Sequence, residues 1–404
     1  MRDLLRRLAD AVPSRAATPA AAMRAARAFA ATTLAAATLA FAATAPAQAR
    51  SLTVLTFNVE HLMSAERFSR WQEFCRPLGW REPKSGQRPE ELTYCNALDG
   101  SNGRGRRVFA PVHDRRAWQQ KNEALAALLR QGDADVVLLQ EVSDAAAARL
   151  LLGPAYRVVG SDEMWKEHSI AQNLAIGWRI SRFDQPPRGE LIEAVSQAGA
   201  DGRVTRPGLA LAIDLGGGRR LALLNLHLKA GCRQGRLNEV TSRSPERAFR
   251  RKADCAVFQR QVPEIERWAD DKLRQGYGVI IAGDFNRDLL RELRDRMPAR
   301  ADGSDPAEPA VPTRVASLVA ELSDESPPAA WFALARAKRY PKLADCHRHI
   351  DSFLLSRNLD GWLATPVGQL ATVVLPLAEP VSLDRVRPSD HCPHVLRLPF
   401  EATR

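Results

Sequence analysis

The chain has 404 residues, of which 26% are charged, 45% apolar and 6% aromatic, and its formal charge is +11. That composition excludes a collagen, a coiled coil, a fully disordered chain and a polytopic membrane protein, and the length suits one large domain or two modest ones. The positive balance points toward phosphate-rich partners, once corrected for the N-terminus.

Residues 1–49 are rich in Ala and nearly free of acids. Arg24 and Arg27 precede an apolar run from Ala28 to Ala43, and Ala47-Gln48-Ala49 follows. A basic flank, an apolar stretch and a small-x-small triplet make a secretory signal peptide, and the run is shorter than the ~20 residues a membrane span requires. We therefore expect residues 1–49 to be cleaved and residues 50–404 to be exported, to a periplasm or outside the cell, without stable membrane insertion. Met23 is an alternative start, and a buried Ala-rich helix is the competing structural reading. Removing the six Arg and two Asp of this segment lowers the charge from +11 to +7.

Along the mature chain, Leu52 to Phe57 forms a β-rich run ending in Asn58-Val59-Glu60. Residues 64–116 are polar and rich in Gly and Arg, and are expected to be a long excursion pinned by Cys75 and Cys95. A helix is predicted from Trp118 through Leu125, Leu128 and Leu129 to a stop at Gly132. Val136 to Leu139 is a buried strand ending at Gln140-Glu141. Strands are predicted at 156–159, 173–178, 209–215 and 221–224, the last running into Asn225-Leu226-His227. A long helix fits 246–274, where Cys255, Phe258, Val262 and Ile265 keep a three/four spacing. Val279 to Ala282 is another buried strand, ending at Gly283-Asp284-Phe285-Asn286. Residues 298–312, rich in Pro, Asp and Ala, are expected to be a mobile loop within a long insertion near 296–345. The last strands cover about 350–356, 371–375 and 394–398. Alternating strands and helices without a compositional break predict one α/β (α+β) domain.

All six cysteines (75, 95, 232, 255, 346 and 392) lie beyond residue 49. An even count in an exported chain suggests disulfides, and the absence of CxxC spacing argues against a zinc motif. Sequence leaves many connectivities open. The near-neighbour set Cys75–Cys95, Cys232–Cys255 and Cys346–Cys392 is preferred, with buried free thiols as the alternative.

One arrangement recurs: an apolar strand ends, and carboxylate, amide or imidazole groups stand at its end. These are Asn58/Glu60, Glu141, Asn225/His227, Asp284/Asn286 and Asp390/His391, with Asp351 just inside a sixth strand. Each alone is an ordinary cap or turn residue; the ordered set predicts a polar cleft at a sheet rim. Its hard oxygen donors suit Mg²⁺, Mn²⁺ or Ca²⁺ better than zinc.

These residues resemble the endonuclease/exonuclease/phosphatase superfamily, with its deoxyribonuclease-I-like fold. The resemblance runs from about Leu52 to Leu398 and is carried by Thr56-Phe57-Asn58-Val59-Glu60, Asp135 to Val142, Asn225-Leu226-His227-Leu228, Gly283-Asp284-Phe285-Asn286 and Ser389-Asp390-His391-Cys392-Pro393. Ser352 departs from it, standing where many members have His. The resemblance implies a four-layer sandwich of two mixed β-sheets flanked by helices, and Mg²⁺-assisted hydrolysis of a phosphate ester. It implies Glu141 as principal metal ligand, with Asn58, Glu60 and Asp390 completing the set. Asp284 would position or deprotonate the attacking water, Asn286 would bond the phosphate, and His227 and the Asp351-oriented His391 would stabilise the anionic state.

Asn173 is a further expected substrate contact, as are Asn225 and Lys229; Arg233 is a weaker one. His347-x-His349 lies on a predicted strand that would put both rings on one face, as a second metal pair or as a plain surface pair. Arg247, Arg250, Arg251 and Lys252 read as a solvated helix face or a nucleic-acid rail, and Trp165 and Trp331 as packing or base-stacking groups. The expected function is an exported metal-dependent nuclease acting on DNA or RNA. A phosphatase or phospholipase C-type enzyme on inositol phosphates or sphingomyelin is the alternative, and a non-catalytic binding protein on the same fold is the alternative of another class. The sequence assigns no oligomeric state.

Overall fold

Near-continuous apolar runs mark strands covered on both faces, and the chain uses them to build two sheets. The computed structural model describes residues 51–401 apart from 85, 102–104, 200–201, 240–243, 298–314, 329, 341–345, 348 and 378–381. The expected signal peptide and the loop at 298–312 lie outside the described residues. Residues Arg50–Arg404 group as one unit.

The strands in chain order are β1 (Ser51–Leu62), β2 (Val136–Val142), β3 (Tyr156–Gly160), β4 (Asn173–Arg179), β5 (Arg188–Ile192), β6 (Gly208–Asp214), β7 (Arg220–His227), β8 (Gly278–Asp284), β9 (Phe332–Leu334), β10 (Arg336–Ala337), β11 (Asp351–Ser356), β12 (Ala371–Val374) and β13 (His394–Pro399). They form a seven-stranded sheet in the order β10-β12-β13-β1-β2-β4-β3 and a six-stranded sheet in the order β5-β6-β7-β8-β11-β9. Both are mixed, with β1 parallel to β2 and β7 parallel to β8 among antiparallel neighbours. This is the four-layer, deoxyribonuclease-I-like sandwich.

Strand parity explains the layers, because successive side chains point to opposite faces. Leu52, Val54, Val136 and Leu138 meet Leu221, Leu223, Ile280 and Phe353 between the sheets. Their alternates Leu55, Phe57, Val137 and Leu139 pack outward against Leu125, Leu128 and Leu129 of helix Arg115–Gly132. On the opposite outer face, Leu224, Leu226, Val279 and Ile281 pack against Phe258, Val262 and Ile265 of helix Pro245–Arg274.

The excursion at 64–116 is more structured than its polarity suggests. Ser64 caps a helix over Ala65–Cys75, and Phe68, Trp71, Leu92, Leu98 and Trp118 bury a small core of their own around Cys75–Cys95. The expected insertion at 296–345 also contributes to the scaffold: β9 lies at an edge of one sheet and β10 at an edge of the other. The disulfides are Cys75–Cys95, Cys232–Cys255 and Cys346–Cys392.

His394 opens β13 with its ring buried and both ring nitrogens without hydrogen-bond partners. Burial pushes it down from 6.5 to about 4, with the charges of Asp351 and His391 acting in opposite directions. The folded protein therefore resists a proton that the unfolded chain accepts near pH 6.5. Stability is expected to fall as pH drops from about 6.5 to about 4, at up to ~1.4 kcal/mol per pH unit from this group. Urea titrations should show His394→Leu with a shallower loss than wild type over that window; parallel curves would remove His394 as the cause.

Candidate active site

Two bulges and one glycine prepare the site. The β1–β2 register shifts between Asn58 and Leu62, and the β2–β4 register between Gln140 and Val142. Glu60, His61 and Glu141 adopt left-handed backbone there, with φ of 47°, 56° and 62°. Such breaks re-aim side chains at a strand end. In the other sheet, Gly283 has φ 139°, and a Cβ there would stand 2.0 Å from the Leu226 carbonyl oxygen. Only glycine lets β8 approach β7 so closely.

Register does the rest. His227 pairs with Asp284 across β7–β8, and Asp284 pairs with Asp351 across β8–β11. Paired residues share a face, so the three stand side by side. Asp284 is the hub: its Oδ2 lies 3.4 Å from His227 Nε2 and 3.7 Å from His391 Nε2, and it accepts a bond from Asn58 Nδ2 at 3.1 Å. His391 Nδ1 is 2.8 Å from Asp351 Oδ2. Ser389 holds this last loop to β1, its hydroxyl donating to the Asn58 carbonyl at 2.7 Å and accepting from His391 N at 3.0 Å. Glu141 accepts from Asn58 Nδ2 at 3.1 Å and lies 3.8 Å from His227 Nε2.

Burial pushes Asp284 up to about 6, with Asp351 adding to the effect and His391 opposing it. Burial by itself opposes charge on His391, yet Asp351, Asp284 and Asp390 hold its pKa well above the ordinary value. His227 lies well below it, through burial and the charges of Arg206, His391 and His61, and is neutral. Burial would raise Asp390, but His347, His391 and Arg387 keep it below the usual carboxylate range. The site thus holds a cationic imidazole, a neutral one and a carboxylate hub.

The cleft above these groups has a volume of about 630 Å³; Glu141, His227, Asp284, Asn286, Asp390 and His391 line one part, and Arg203, Arg206, Lys229, Arg233 and Tyr94 another. Glu141 and Asp390 keep 14% and 30% of their side chains exposed. Their hard oxygens fit a Mg²⁺-class ion. Ligand atoms also converge within 4.8 Å in two further groups, Asp284/Asp351/His391 and His347/Asp390/His391.

The structure gives the other expected site residues the following surroundings. Asn58 accepts at Oδ1 from the Glu60 N–H at 3.0 Å, and its Nδ2 bridges Glu141 to Asp284. Glu60 is spent on ion pairs with buried Lys121, 3.7 Å away, and with Arg387. Asn286 lines the cleft and gives its Nδ2 to the Leu228 carbonyl and to Asp284, so it orients the hub. Asn173 is buried and bonded to Ser143, Ser161 and Ile170. Lys229 lines the cleft but pairs with Asp254 at 2.5 Å. His347 and His349 precede β11 rather than sharing a strand face: His347 reaches Asp390 while the His349 ring packs on Tyr340. Trp165 is buried beside His168.

Asn225 is fully buried, donates to the Leu139 and Ala175 carbonyls, and accepts from Gln140 at 2.7 Å. It ties the two sheets together beneath the site, out of a substrate's reach. Asn225→Leu strands those partners and is expected to destabilise the fold by roughly 1–3 kcal/mol, read as a lower urea midpoint at constant slope. An unchanged midpoint would contradict the bridging role.

Three residues escaped the sequence reading. His61 lies 3.5 Å from Glu141 and 2.9 Å from Thr93; a third imidazole at a strand end was the available signal. Arg206 bonds the carbonyls of His227 and Leu228 at 3.2 Å each, and Arg387 meets Glu60. Both come from loops without periodicity.

A strand-end hub of two histidines and three carboxylates on a deoxyribonuclease-I-like sandwich defines a phosphoric-ester hydrolase class. Residues 55–391 match the endonuclease/exonuclease/phosphatase family, and the chain belongs to that family. Family membership supports hydrolysis of phosphate esters. No curated protein matches the chain. Solved structures similar to it include D. rerio TDP2 humanized by 14 mutations, 15% identical, covering 88% of this chain and 100% of that one at a TM-score of 0.42. A Bacteroides thetaiotaomicron endonuclease/exonuclease/phosphatase family protein is 14% identical, covering 87% and 98% at 0.42. The human Nocturnin catalytic domain with bound sulfate is 14% identical, covering 87% and 94% at 0.42.

Proposed function

We propose that this chain is an exported, divalent-metal-dependent phosphodiesterase that cleaves nucleic acid. The observation that carries the reading is Asp284 set between neutral His227 and the Asp351-bound His391, at the floor of a cleft with Arg206, Lys229 and Arg233 in its wall. Glu141 and Asp390 would hold a Mg²⁺-class ion, which when bound supplies charge neutralisation at the phosphate.

The protein's own groups do the rest. Asp284 Oδ2 takes the proton of the attacking water, and Asn58 and Asn286 fix the carboxylate for it. His391, turned by Asp351 through Nδ1, presents a charged Nε2–H to the anionic phosphate oxygens. His227 offers a hydrogen bond without charge. Basic side chains in the cleft wall favour a polyanionic substrate, in keeping with the net +7 of residues 50–404.

A substrate panel on residues 50–404, with and without EDTA, tests the reading. Mg²⁺-dependent cutting of DNA or RNA that stops with chelator is expected. Turnover of sphingomyelin or inositol phosphates without nucleic-acid cleavage would transfer the assignment to those esters. Metal binding with no turnover on any ester would make the chain a binding protein.

A further inference from the structure

Beside the oxygen-rich pair Glu141/Asp390 sits a nitrogen-rich set with a different metal preference. His347 Nε2 lies 3.3 Å from Asp390 Oδ2, and His391 Nε2 lies 3.8 Å from Asp390 Oδ1. A tetrahedral ion with bonds of about 2.0–2.1 Å holds its ligands roughly 3.3–3.4 Å apart; the His347–Asp390 pair stands at that spacing, and one ligand atom from each of the three residues lies within 4.8 Å of the others. The rings of His347 and His391 are in edge contact, with centroids 5.1 Å apart.

The support around the set is also that of a metal site. His391 has its Nδ1 on Asp351 at 2.8 Å, which directs Nε2 toward the ion, as carboxylate–histidine–metal relays do. His347 is tethered twice: its N–H donates to the Asp390 carbonyl at 2.7 Å, and its neighbour Cys346 is bridged to Cys392, the neighbour of His391. His347 keeps 51% of its side chain exposed, which gives an ion an open approach and leaves a fourth position for water.

We propose that His347, Asp390 and His391 form a site for a borderline cation of the Zn²⁺ class, which binds by displacing the Nε2 proton of His391 to solvent, and that its occupation withdraws His391 from the phosphate and stops hydrolysis. Two imidazoles and one carboxylate favour Zn²⁺ over Mg²⁺, whereas Glu141 with Asp390 favours the hard ion. The two ions compete for Asp390, so zinc acts as an inhibitor. The inhibitory part rests on the hydrolase reading; the binding part does not.

Equilibrium dialysis of the disulfide-intact mature protein against Zn²⁺, with Mg²⁺ in large excess, separates them. One zinc per chain is expected. His347→Ala should weaken binding by more than about tenfold, and Asp351→Asn by about 10–100-fold, while His349→Ala binds as wild type. Co²⁺ in place of Zn²⁺ should give tetrahedral absorption bands that His347→Ala removes. Equal zinc affinity in wild type and His347→Ala, or displacement of zinc by equimolar Mg²⁺, would overturn the site. Zinc should also inhibit wild-type turnover at lower concentration than it inhibits His347→Ala; equal inhibition would overturn the inhibitory role. An inactive wild type that binds zinc through His347 would sustain the site and defeat the hydrolase reading.

Discussion

Asp284→Asn is expected to lower kcat on nucleic acid by about 10²–10⁴-fold, the range contributed by a well-placed general base. With its amide oxygen at the Oδ2 position the substitution keeps the shape and the bonds from Asn58 and Asn286 Nδ2, loses the bond from the Asn286 N–H and removes the proton acceptor. Its pH signature is specific. Burial places the carboxyl near 6, and only the ionised form accepts a proton. Wild-type kcat/KM should therefore fall about tenfold per pH unit below roughly 6. The residual activity of Asp284→Asn should lack that acid limb. A variant that retains both rate and limb would remove Asp284 from the chemistry.

His391→Ala is the second large effect, with an expected loss of about 10²–10³-fold from removing one preorganised donor to the developing negative charge. The carboxylates around His391 keep it protonated well above 6.5, so the activity it supports is full at neutral pH. That activity declines only as pH rises through the elevated value. Asp351→Asn distinguishes charge from mere presence: the ring remains, but the partner at Nδ1 no longer stabilises the cation. Its basic limb should move to lower pH, and its kcat should drop more than its KM changes. Unchanged limbs in Asp351→Asn would show that His391 works without its partner.

How much of this could be read from sequence differs by residue. The central strands were legible because a strand covered on both faces must be apolar throughout, and Val136 to Leu139 and Val279 to Ala282 are. The polar residues terminating them were conspicuous for the same reason, which is why Glu141, His227, Asp284 and His391 stand together as expected. Function within the cluster was less legible. Asn58, Asn225 and Asn286 have the same chemistry as a ligand or substrate contact, and only the structure shows which protein groups they bond, Asp284, Glu60 and backbone carbonyls among them. The helix Ala65–Cys75 was hidden because its apolar face covers only the local cluster around Trp71 and stays separate from the main core. Arg206 had no signal, since its partners are two main-chain oxygens.

The bonds that cross between the sheets have a consequence for how the activity can be lost. Glu141 and Asn58 belong to one sheet, His227 and Asp284 to the other, and the Asn58–Asp284 and Gln140–Asn225 bonds span the two. Neither sheet by itself carries the whole reaction centre. The seam that joins the sheets therefore also assembles the site, and opening it would separate Asn58 and Glu141 from His227 and Asp284.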